Sequence, residues 1–254
     1  MRILLLLLLL PFQVHAQKIA LISGFDDVVR QAENQSLVRS GLKLFSKDHT
    51  FTGMPELYSS LLKDNGLSEF FLVSGTSSLF KGRIQKFISG AGYPACELHL
   101  RNWIKEWSVE EFKAASIQKI LDQHESPNLI VIFDNSGASL QMVKTFPQAF
   151  PGKLLQMYLR ETVQMSEPAG AHLFVTAFDL AVMEYQAQRL SEASVSLVGE
   201  TILANSDAEK LIPAYAYCPA VYDPCAAITN VSLQSVCARV KARVLQVCES
   251  RQNH

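Results

Sequence analysis

"IALISGFDDVVR", residues 19–30, reads as a buried strand that ends on a glycine and releases two adjacent acids into a loop. Ile19 to Ile22 are apolar without alternation, the pattern of a strand covered on both faces rather than half in water. Gly24-Phe25-Asp26-Asp27 then puts carboxylates at the strand's carboxyl end, where open α/β sheets gather their chemistry.

The same pattern recurs along the chain. Apolar runs of strand length lie at 69–74 (EFFLVS), 128–133 (NLIVIF) and 153–158 (KLLQMY), with a weaker one at 172–176. Between them, apolar residues at helical spacing predict helices over Pro55–Lys63, Ser78–Ser89, Ser108–Gln123, Leu140–Phe150 and about 177–192. Doubly buried strands alternating with helices predict a three-layer α/β sandwich around a parallel, Rossmann-like sheet. The remaining strand ends, Ser74-Gly75-Thr76-Ser77 and Asp134-Asn135-Ser136-Gly137, are polar loops able to meet Asp26-Asp27 in one cleft. A short link from Asp27 to the next helix predicts no large cap over it.

The chain opens Met1-Arg2-Ile3, runs through leucine from Leu4 to Leu10, and continues Pro11-Phe12-Gln13-Val14-His15-Ala16. One positive charge, a short apolar run and small residues at Val14 and Ala16 mark residues 1–16 as a secretory signal peptide, with Gln17 starting the mature chain. The run is far short of the ~20 residues a membrane-spanning helix needs. No later stretch supplies a transmembrane segment, so the product is expected in the periplasm or outside the cell. Net charge is −1 with acids and bases interspersed, which excludes the basic footprint of a nucleic-acid binder. Sequons at Asn34 and Asn230 matter only in a eukaryotic secretory pathway.

Export permits disulfides. Of five cysteines, Cys218, Cys225, Cys237 and Cys248 cluster near the carboxyl end without the close pairs of a zinc site. Residues 231–248 read as a helix, which holds Cys237 and Cys248 about 16 Å apart, too far to bond to each other. If 218–225 runs back antiparallel, Cys225 meets Cys237 and Cys218 meets Cys248; Cys96 is left over and expected to be buried. The expected organisation is therefore a leader (1–16), an α/β domain (17–194) and a helical, disulfide-linked extension (195–254).

Five ordered segments carry a family resemblance: "GMPELYSSL" (53–61), "FFLVSGTSSLF" (70–80), "GYPACELHLRNW" (92–103), "FKAASIQKIL" (112–121) and "FDNSGASLQMVKTFPQAFPGKLLQMYLRET" (133–162). Together they resemble the actin-patch-associated phosphatidate phosphatase catalytic domain, a branch of the haloacid-dehalogenase-like superfamily. The resemblance implies a sheet in the order 5-4-1-2-3, an aspartyl nucleophile, a second aspartate as acid and base, and Mg2+. It places the acid/base role on Asp26, phosphate binding on Ser74 and Gly75, and charge neutralisation on Lys113. The nucleophile position falls on Gly24, which has no side chain. In the fifth segment both family acids are replaced, by Asn135 and Leu140. Asp134 stands one place early, and a one-residue shift beside a strand is expected to turn it to the opposite face. The residues to consider for metal are thus Asp26, Asp134 and Asn135. Gly24→Asp, Asn135→Asp and Leu140→Asp together form the smallest set expected to restore Mg2+-dependent turnover.

Each residue also has a plainer role open to it. Asp26-Asp27 suit turn and cap hydrogen bonds, Ser74–Ser77 suit a helix cap, and a lysine on an amphipathic helix is ordinarily solvated. The favoured reading is an exported, catalytically impaired member that keeps part of a cleft for a phosphate-bearing small molecule or lipid headgroup. The alternatives are an active phosphatase using Asp26 in a relocated centre, and a structural or interaction protein.

Overall fold

A computed structural model describes residues 19–32, 49–68, 70–105, 108–124 and 128–252. The leader and the Asn34 sequon lie outside them. Six strands, β1 (Ile19–Ser23), β2 (Phe70–Ser77), β3 (Cys96–Arg101), β4 (Asn128–Asp134), β5 (Leu154–Arg160) and β6 (His172–Phe174), form one sheet. Its order is β3-β2-β1-β4-β5-β6 and every pairing is parallel. The five strands implied by the resemblance keep their order, and β6 extends the sheet beyond β5.

The helices are α1 (Met54–Asp64), α2 (Lys81–Gly90), α3 (Val109–Gln123), α4 (Gly137–Ala149), α5 (Ala177–Gln186), α6 (Glu192–Ala204), α7 (Ala208–Leu211) and α8 (Val231–Gln252). They cover both faces. Ala20 and Ile22 of β1 point to a core shared with Ile117, Ile120, Met142 and Phe146 of α3 and α4. Leu21, between them, points to a larger core with α1, α2, α5, α6 and α8. That double burial is the physical reason the strands carry unbroken apolar runs.

The structure corrects several expectations. β3 has no apolar run because it is an edge strand, half-buried along most of its length, and it reads Cys-Glu-Leu-His-Leu-Arg. β2 continues through Ser77 with an irregularity in its pairing to β3, so Ser74–Ser77 belongs to a strand end rather than a loop. Ser78–Phe80 is a 3-10 turn ahead of α2. The expected helix at 177–192 stops at Gln186, and Ser191 caps α6 instead. The link from Asp27 reaches to Met54, longer than expected, and its residues 33–48 lie outside the described ones. Cys96 is half-buried rather than buried.

The nested disulfides stand as drawn from the sequence, Cys218–Cys248 and Cys225–Cys237, with Cα separations of 5.4 and 6.0 Å. Asn230 caps α8, its Oδ1 accepting from the Ser232 amide at 2.9 Å. The boundary expected between 194 and 195 falls inside α6. Val195, Val198 and Ile202 of that helix share the larger core with Leu233, Val236, Val240 and Val244 of α8. The two helices touch at Gly199, where an added Cβ would collide with Val236 Cγ1 and lie 2.9 Å from the Phe178 ring.

Candidate functional site

At the carboxyl ends of β1, β2 and β4 lies a cleft of about 470 Å3. Gly24, Asp26, Ser74, Gly75, Lys113 and Asp134, all singled out from the sequence, line it together. Asn135 does not.

Asp26 is held on both oxygens. Arg30 Nε donates to Oδ1 at 3.1 Å and Arg30 Nη2 donates to the same oxygen. Thr76 Oγ1 donates to Oδ2 at 2.8 Å. Ser74 Oγ in turn donates to Thr76 Oγ1 at 3.0 Å and accepts from the Thr76 amide at 3.1 Å. The hydroxyl assigned to phosphate is thus part of a chain Ser74–Thr76–Asp26–Arg30. Arg30 is buried and also lies over the Phe25 ring, 4.9 Å from its centroid. Asp27 turns away from the cleft. At a left-handed φ of 54°, it accepts from the Ala32 amide at 2.8 Å and from the Tyr215 hydroxyl at 2.6 Å.

On the opposite wall Lys113, near the start of α3, is buried rather than solvated. Its Nζ donates to Ser139 Oγ at 3.1 Å, and Ser139 Oγ donates to Asp134 Oδ1 at 2.9 Å. The ammonium also sits 4.2 Å from the Phe133 ring centroid. Burial pushes its pKa below the ordinary lysine range, opposed by the charges of Asp134 and Asp26.

Asp134 therefore faces the cleft, contrary to the expectation from register. It ends β4, and the chain turns immediately afterwards, so strict strand alternation no longer applies. Asn135 is the residue turned away. Its Oδ1 accepts from the Thr162 amide at 3.0 Å and hydroxyl at 2.6 Å, and its Nδ2 donates to the Val163 carbonyl at 2.7 Å. It fastens the segment after β5 to the end of β4.

Gly24 is close-packed. Its amide donates to the Ile132 carbonyl at 2.8 Å, and an added Cβ would lie 3.1 Å from the Phe133 ring. Gly75 is tight as well: an added Cβ would lie 3.2 Å from Val109, and its carbonyl accepts from Trp103 Nε1 at 3.1 Å. Sequence reasoning missed Arg30, Ser139 and Trp103, and it named Thr76 only as part of the polar stretch ending β2. The spacing Asp26-x-x-x-Arg30 was a readable signal for the first, since it suits an ion pair across one turn.

The residues considered for Mg2+ do not fit it. Both Asp26 oxygens are engaged, one by a guanidinium, and Asn135 points elsewhere. Among the described residues no three His, Cys, Asp or Glu side chains converge as a metal site.

The carboxyl end of a parallel α/β sheet thus gathers hydroxyls, a buried lysine and two acids, Asp26 and Asp134, in one cleft. The family described as "Phosphatidate phosphatase APP1, catalytic domain" matches residues 19–161, and the chain belongs to that family. No curated protein and no solved structure matches it.

Proposed function

We propose that this is an exported, haloacid-dehalogenase-like protein that binds a phosphate ester in the family cleft and does not turn it over by the family's route. One observation carries the reading: glycine stands at position 24, where the resemblance puts the nucleophile, and an added Cβ there would lie 3.1 Å from the Phe133 ring. Without that carboxylate no phospho-enzyme forms there. Losing the nucleophile of a concerted site lowers turnover by about 10^4 to 10^6. Asp26 is a poor replacement, because both of its oxygens are engaged, one by Arg30 and the other by Thr76. The leader and the two disulfides support export.

The cleft mouth favours a lipid headgroup as the source of the phosphate. Leu79 and Ile104 are each 90% exposed and Trp103 is 59% exposed, all flanking or lining the opening. Lys81 and Arg83 are exposed next to Leu79. Apolar side chains and a tryptophan beside bases suit the interface of an anionic bilayer.

The test is steady-state hydrolysis of p-nitrophenyl phosphate and of phosphatidate by the chain from Gln17, with and without Mg2+. The expected outcome is no turnover above background. Robust turnover lost in Asp26→Asn would replace this reading with a relocated centre at Asp26.

A further inference from the structure

The charges lining the cleft are Arg30, Arg101 and Lys113 against Asp26 and Asp134, three bases to two acids, a net of one positive charge. A site built to attract a divalent cation carries the opposite balance, with carboxylates in excess. Arg30 stands against Asp26 Oδ1, so a metal held by that carboxylate would lie beside a guanidinium of like charge. Lys113 and Asp134 are already joined through Ser139.

We infer that the cleft holds its phosphate ester without a metal, Arg30 acting with Lys113 as the fixed positive charge that a divalent cation would otherwise bring. The guanidinium suits this role. Its Nε and Nη2 are engaged by Asp26, so what it offers a phosphate is a planar cationic group fixed in the cleft wall. Its orientation is fixed on one side by Asp26 and on its face by Phe25. Thr76 positions the same carboxylate from the other oxygen, so Asp26 serves to aim Arg30 rather than to ligate a metal. This inference rests on the proposed phosphate-ester binding and adds which residue supplies the charge.

Titration calorimetry of the chain from Gln17 with glycerol 3-phosphate, and flotation with phosphatidylcholine vesicles carrying phosphatidate, separate a soluble from a lipid source of the same headgroup. Each is run in EDTA and in excess Mg2+. Equal binding in both conditions is the expected result. Binding that appears only with Mg2+ overturns this inference and leaves the proposed function standing; absence of binding in either condition overturns both. Arg30→Gln should weaken binding by about tenfold or more, and Arg30→Lys should recover part of the loss. Thermal melting identifies whether each variant is folded. A folded Arg30→Gln protein with unchanged affinity overturns the role of Arg30, and the wild-type comparison in EDTA decides the metal question even if that variant does not fold.

Discussion

Tyr215 reaches back across the molecule to Asp27, its hydroxyl donating to Asp27 Oδ1 at 2.6 Å over a sequence separation of 188. The disulfide-linked end of the chain thereby holds the loop that carries Asp26. Tyr215→Phe should lower stability by about 1.5–3 kcal/mol, the net worth of a hydrogen bond to a charged group. It should also weaken phosphate-ester binding, because the Asp26–Arg30 pair loses part of its support. Denaturant unfolding and calorimetry on the same variant check both.

Restoring the family's acids should fail for a packing reason. Gly24→Asp pushes a Cβ against the Phe133 ring and should destabilise by about 1–3 kcal/mol, as overpacking does. Asn135→Asp removes the donor to the Val163 carbonyl and should cost about 1–3 kcal/mol without adding a cleft carboxylate. Leu140 packs against the smaller core, so an aspartate there is exposed to the same objection. The triple variant, read from the sequence as the smallest restoring set, should melt below the wild type and show no Mg2+-dependent hydrolysis.

Lys113 gives a pH signature. Burial holds its folded pKa below the ordinary 10.5, so between the two values the unfolded chain binds more protons. Stability from this group therefore rises as pH climbs from the folded value toward 10.5. Phosphate affinity moves the other way, falling as the buried ammonium deprotonates. Asp134→Asn removes the leading opposing charge and should shift that fall to lower pH, measurable by calorimetry across the alkaline range.

The two cross-links should differ in worth. Cys218–Cys248 closes a separation of 30 residues and Cys225–Cys237 one of 12. Removing either pair as serines should cost about 2–4 kcal/mol, the wider loop more. Melting temperatures of the two double variants test the order.

The α6–α8 contact makes a sharper test. Gly199→Ala places a methyl against Val236 and Phe178 with no room for it, and should destabilise by about 1–3 kcal/mol or more despite the better helix propensity of alanine. A neutral or stabilising effect on the melting temperature would mean the helices are not packed as described.

The sheet was legible because its central strands are buried on both faces and so spell themselves in unbroken apolar residues. β3 was not, since an edge strand half in water follows no such rule and carries Glu97, His99 and Arg101. The cleft's location followed from strand ends, and Asp26, Ser74 and Lys113 do meet there. Which of Asp134 and Asn135 faces it was unreadable, because alternation lapses where the chain leaves the sheet and side-chain partners then decide. Those partners, Ser139 for one and Thr162 with Val163 for the other, are visible only once the fold brings them together.

The packing of α6 and α8 into the larger core bears on how pieces of such proteins can be exchanged. The segment that defines the family ends at residue 161, yet the face of the sheet it builds is roofed by helices from beyond that point. A chimera joined at 161 would set a foreign roof on this sheet, with Gly199 meeting the wrong neighbour and no tyrosine delivered to Asp27. Its cleft could then lose ligand binding while every cleft residue within the family segment is intact, and swaps that carry residues 19–252 as one block should be the ones that retain it.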